Sequence, residues 1–115
     1  MSNENIFVRD CLKSVVGEGN FEEETYQLDG MIRPDFFVPK ARLMVEINGK
    51  SKYYPYTTKY NNFLNLNHKL TLQNNFNVIY LKSWVLEGMM QADDGKDQLK
   101  DLLAKTIETY KASVK

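Results

Sequence analysis

The sequence predicts an α/β domain, a mixed central sheet flanked by helices in the order α-β-β-β-α-β-α. Three observations carry this. Leu43–Ile47 is an almost unbroken apolar run, the composition of a central strand covered on both faces. Phe76–Leu81 is a second such run, and the stretch between the two has apolar residues at helical spacing. The C-terminal segment sets Leu99, Leu102, Leu103, Ile107 and Tyr110 on one helical stripe, with charges opposite.

The elements follow in order. A first helix is expected over Asn3–Val16, with Ile6, Phe7, Cys11, Leu12, Val15 and Val16 on its apolar face and Gly17 and Gly19 as its stop. Strands come next at Glu23–Leu28, Asp35–Val38 and Leu43–Ile47. Asp29-Gly30 and Pro39-Lys40-Ala41-Arg42 separate them, and Asn48-Gly49 is a further turn signal. Residues 50–58 read as a polar, tyrosine-rich loop. The helix after it, Thr58–Gln73, uses Tyr60, Phe63, Leu64, Leu66 and Leu70 as apolar positions and is rich in Asn, a poor helix former, so packing must hold it. Beyond the Phe76–Leu81 strand, Ser83 and Asp94 are candidate caps for the helices that follow, the last of them over about 95–112.

Length and composition set the bounds. At 115 residues the chain is expected to form a single domain over 1–115, burying roughly two thirds of its unfolded surface. Its hydrophobic share of 43% and charged share of 26% are ordinary for a globular protein, and no apolar run is long enough to span a membrane. The single Cys11 precludes an internal disulfide and fits a reducing compartment. Glu4 and Asp10 beside Arg9 and Lys13 give the N-terminal stretch the character of neither a secretory h-region nor an acid-free, Arg-rich transit peptide.

The formal charge of zero conceals a segregation. Residues 1–32 carry two basic and seven acidic groups, whereas residues 33–82 carry eight basic groups against only Asp35 and Glu46. That basic middle also holds nine of the fourteen aromatic residues, the electrostatic and stacking pattern of a nucleic-acid surface. Its alternative is a set of lysines that merely solvate a surface.

Within this middle, Arg33-Pro34-Asp35 opens one expected strand and Glu46 lies near the end of the next. Two carboxylates brought together in that way grip Mg²⁺ or Mn²⁺ through oxygen, and such an ion polarises a scissile phosphate and activates water. Many metal-dependent nucleases add a lysine two residues after the second carboxylate, where it stabilises the charge developing on the phosphate. Here that position is Asn48, which carries no charge. The structural alternative makes Asp35 a turn or strand-edge residue, while Glu46, set in an apolar strand, requires a partner or an open strand end. Just beyond, Lys50, Lys52, Tyr53, Tyr54, Tyr56 and Lys59 form a basic–aromatic loop whose lysines suit phosphates and whose tyrosines suit stacked bases. The alternative there has the tyrosines packed on the sheet. His68, the only histidine, serves equally as a packing residue or a phosphate contact, and Trp84 reads as a core anchor at a strand end. Leu86, Met89 and Met90 read as core or partner-facing. The chain has no Gly-rich phosphate loop, no Ser/His/Asp set and no CxxC pair, so nucleotide hydrolysis, acyl transfer and zinc binding have no support.

At these residues the chain resembles a known family. Met31–Trp84 looks like a RAP domain, the RNA-associated module of the restriction-endonuclease-like superfamily. The family pattern has an apolar strand ending Glu-x-Asp-Gly-Pro-Ser-His-Phe, a helix with basic residues and leucines, and an apolar strand running into Trp. This chain reads Val45-Glu46-Ile47-Asn48-Gly49-Lys50-Ser51-Lys52-Tyr53, then Asn67-His68-Lys69-Leu70-Thr71-Leu72, then Asn75-Phe76-Asn77-Val78-Ile79-Tyr80-Leu81-Lys82-Ser83-Trp84. It departs from the pattern where the family's Asp is Asn48, its His is Lys52, and its basic pair is reduced to His68-Lys69.

The resemblance implies a restriction-endonuclease-like core over about 23–86, between an N-terminal helix at 3–16 and the C-terminal helix. It implies RNA as partner and a mitochondrial setting in RNA metabolism or ribosome-related work. With Asn48 in the lysine position, the expected function is RNA binding without catalysis. Arg33, Lys50, Lys52, Tyr53, Tyr54, Lys59 and Lys69 would engage nucleic acid, and Asp35, Glu46 and Asn48 would be a vestigial metal site needing no cofactor. One rival is a structural subunit of a large organellar assembly, docking through its N- and C-terminal helices. The other is a nuclease with Asp35 and Glu46 holding Mg²⁺ or Mn²⁺ and Lys50 as a relocated lysine.

Overall fold

The structure, a computed structural model, describes residues 3–27, 30, 32–48, 69 and 73–112. It is mixed α/β: a four-stranded sheet with three helices, among the described residues, and a 3₁₀ turn. Helix α1 (Asn3–Val16) has Glu4 in its first turn and Lys13 in its last, each favourable to the helix dipole. It stops at Gly17, whose φ of +90° suits glycine and whose N–H donates to the Lys13 carbonyl at 3.0 Å. Its buried face is Phe7, Val8, Cys11 and Leu12. Ile6, placed on the apolar stripe by the sequence, is 37% exposed, and Val8 is buried in its stead.

The first expected strand, Glu23–Leu28, is corrected to two residues, β1 (Glu22–Glu23). Glu24 ends it with a left-handed backbone, φ +49°, although its N–H still donates to the Asp35 carbonyl at 3.1 Å, and the next bridge is Gln27–Ile32; Leu28 is outside the described residues. Strand β2 (Phe36–Val38) pairs antiparallel with β1, and then with β3 (Leu43–Asn48). Between β2 and β3 runs the 3₁₀ turn Pro39–Ala41, which closes on Arg42 at φ +46°. That residue does more than turn the chain. Its guanidinium donates to the carbonyls of Asn74 and Asn75 at 3.0 and 2.9 Å and lies 4.2 Å from the Phe76 ring centre, tying the β2–β3 turn to the start of β4 (Asn77–Lys82).

Strands β3 and β4 are parallel, Leu43 opposite Asn77 through Asn48 opposite Lys82. A parallel pair requires a crossover connection, which residues 49–76 supply. Of the helix expected at Thr58–Gln73, only Lys69 and Gln73 are described, and both are helical and exposed. Helix α2 (Ser83–Gln91) follows β4 directly, so Ser83 is its first helical residue and Lys82 holds the N-cap position. Helix α3 (Gly95–Lys111) has Asp94 at its N-cap position, without a side-chain capping bond.

Alternation along the strands divides the core in two. Phe36, Val38, Leu43, Val45 and Leu81 face the three helices, which contribute Leu12, Leu86, Leu99, Leu103 and Ile107 among others. Cys11 is fully buried there, and burial raises its thiol pKa, an effect opposed by Lys100 and Lys96. On the C-terminal helix the stripe is narrower than expected, since Leu102 is 43% exposed. The other sheet face holds Ile32, Phe37, Met44 and Phe76, with Val78 packed on them. Phe37 and Phe76 meet edge-to-face there, 5.6 Å between centres. Among the described residues no helix is long and apolar enough to cross a membrane.

Candidate nucleic-acid interface

Topology brings the candidate residues to one end of the sheet. Because β2 and β3 are antiparallel, the residue before β2 lies beside the end of β3; because β3 and β4 are parallel, they end together. The register Phe36–Val45 extended by one step sets Asp35 opposite Glu46, and Glu46 is paired with Tyr80. Two rows further toward the end, Asn48 pairs with Lys82. Strand alternation assigns Glu46, Tyr80 and Lys82 to the face that Met44 and Val78 occupy.

Asp35 has a structural task at this end. Its Oδ2 accepts the Ile47 N–H at 2.7 Å, just past the point where the β2–β3 ladder stops. A charged acceptor is a strong partner for a backbone amide that would otherwise end the ladder unpaired. Glu46 is half-buried, with Oε1 closed off from solvent. Strand pairing thus leads Asp35 and Glu46 to the same end of the sheet, where the Asp35 carboxylate is committed to the backbone. Among the described residues, no group of three or more His, Cys, Asp or Glu is placed to hold a metal ion.

Two cation–aromatic pairs stand near this end. Arg33, exposed, lies with its guanidinium 5.6 Å from the centre of the Tyr26 ring, itself 62% exposed. Lys82, also exposed, lies with Nζ 5.5 Å from the centre of the Trp84 ring. Lys82 ends β4, whereas Arg33 lies in the segment just before β2, which is separated from β4 by β3 in the sheet order. Trp84 is the main correction to the sequence reading: it is no core anchor but 40% exposed, because Ser83 and Leu86 take the inward positions of α2.

Of the residues expected to bind nucleic acid, Arg33 lies beside the carboxylates in the chain, and Lys69 is on an exposed helical surface. Lys50, Lys52, Tyr53, Tyr54, Tyr56 and Lys59 lie outside the described residues, as do His68 and the side chain of Asn48. Sequence reasoning missed Lys82, Trp84 and Tyr26 as a group. The available signal was the parallel pairing of the two apolar runs: it makes the residues just after Leu81 neighbours of those just after Ile47. Compared with protein-family models, curated proteins and solved structures, the chain matches none.

Proposed function

We propose that this chain is a non-catalytic RNA-binding module, a RAP-like domain on a restriction-endonuclease-like core whose metal site has decayed. The order of an antiparallel β1-β2-β3 followed by a parallel β4 supports that core. The observation that carries the function is the pairing of Asn48 with Lys82. The position where a nuclease keeps its lysine is neutral, yet the neighbouring strand supplies an exposed ammonium in the same row. A cation there attracts a phosphate whether or not a metal is bound. Arg33 contributes a second charge, and Asp35, bonded to the Ile47 amide, stabilises the strand end on which both depend. The RNA and the organellar setting rest on the family resemblance together with the basic, aromatic middle of the chain.

The test is fluorescence anisotropy of labelled single-stranded RNA across a salt series with Mn²⁺ present, followed by a gel of the RNA. Affinity should fall with salt while the RNA stays intact. Lys82→Ala should weaken binding at low salt and reduce the slope of log K against log salt by about 0.7, the loss of one phosphate contact on a single strand. Absence of binding at low salt overturns the proposal, and metal-dependent cleavage of the RNA transfers the site to the nuclease reading.

A further inference from the structure

We infer that Trp84 is a stacking platform for an unpaired RNA base, with Lys82 holding the adjoining phosphate. This rests on the RNA-binding reading and deepens it, naming single-stranded RNA as the ligand and one ring as the base contact. The geometry has three parts. The indole is 40% exposed although it sits in the first turn of a helix with a buried side, where Leu86 is 1% exposed. Val85, the next residue of the same helix, is 48% exposed, so this first turn presents apolar side chains to solvent at both positions. Lys82 is 5.5 Å from the ring centre and in register with Asn48, joining the ring to the carboxylate end of the sheet.

A large aromatic left open beside a cation is the pairing that single-strand binders use: the ring stacks on a base face and the charge neutralises the backbone. Every base has a π-face, so such a contact tolerates sequence. Bases in a duplex are already stacked and paired, so a single exposed ring does not take them up. The site therefore discriminates between strand states rather than between sequences.

Trp84 is the only tryptophan, so its intrinsic fluorescence reports this contact without a label. The intact chain is titrated with a single-stranded RNA, the duplex of the same sequence, and an abasic strand of equal length, with anisotropy followed in parallel. The single strand should quench Trp84, while the duplex and the abasic strand should leave it largely unquenched. Trp84→Ala should weaken single-strand binding about tenfold, on the order of one lost base stack, and Trp84→Phe should recover most of it.

Salt-sensitive binding with Trp84 unquenched overturns the platform and leaves the RNA-binding reading standing. Quenching by the abasic strand equal to that by RNA also overturns it, since the phosphates alone then account for the signal. If no RNA binds at low salt, both readings fall. The quenching arm uses the unaltered protein, so it decides the matter even where Trp84→Ala lowers stability.

Discussion

Asp35 shows how one residue can be located correctly by sequence and still be misread in its task. Its place beside the end of β3 was legible, because a short turn between two apolar runs fixes an antiparallel register. Its bond to the Ile47 amide was not, because that depends on where the β2–β3 ladder stops, a fact of three dimensions. The bond has a measurable consequence. Asp35→Ala leaves the Ile47 N–H without its acceptor and should cost about 1–3 kcal/mol in urea unfolding, whereas Asp35→Asn, whose side-chain carbonyl still accepts, should cost less. Equal losses in the two variants would show that the charge, not the hydrogen bond, is what this position supplies. Trp84 is the opposite case: its place just after a strand was plain, but the side of α2 on which it falls depends on how that helix lies against α1 and α3.

At the scale of elements, the signals that held were the long ones. The apolar run of β3 and the stripe Leu99, Leu103 and Ile107 required burial wherever they lay and are in the core, while the expected buried strand Phe76–Leu81 is buried only at Phe76 and Leu81 and half-buried between them. The signals that failed were local conformations. Glu24 at φ +49° cut β1 to two residues, and no propensity places a glutamate there. Ile6 and Leu102 belonged to the sequence stripes but are exposed, because periodicity gives the direction of an apolar face and not its width. The joint between α2 and α3 was also hidden. Gly95, first residue of α3, lies so close to the end of α2 that an added Cβ would sit 1.5 Å from the Met89 carbonyl oxygen. A backbone atom cannot swing aside as a side chain would. Gly95→Ala should therefore destabilise by about 3 kcal/mol or more through forced separation of the two helices. The exposed Gly88 has nothing within 4 Å of its added Cβ, so Gly88→Ala should be neutral or mildly stabilising by about 0.5–1 kcal/mol. Thermal melts of the pair check both directions, and equal melting temperatures would refute the clash.

For the whole molecule, the question is whether the sheet end is still a metal site or only the surface of one. The charge partition visible in the sequence favours a phosphate surface. Arg33 and Lys82 flank the carboxylate end, and the acidic groups of residues 1–32 are mostly carried by α1 and the segment around β1. The fold itself does not distinguish the two, since the same strand pairing would serve either. Stability does. A ligand that binds only the native state raises stability by RT ln(1 + [L]/Kd), about 2.7 kcal/mol at a hundredfold excess over Kd. For a domain of this size that is a rise in Tm of roughly 10 °C. With Asp35 bonded to the Ile47 amide and Asn48 uncharged, 1 mM Mn²⁺ should move Tm by no more than about 1 °C, well short of that rise. Single-stranded RNA in excess should raise it by several degrees at low salt, and the rise should disappear at high salt, because phosphate contacts depend on counterion release and a coordinated metal does not depend on it to that extent. A large shift with Mn²⁺ alone would mean that the two carboxylates still act as ligands, and the search for a relocated lysine would then begin at Lys82.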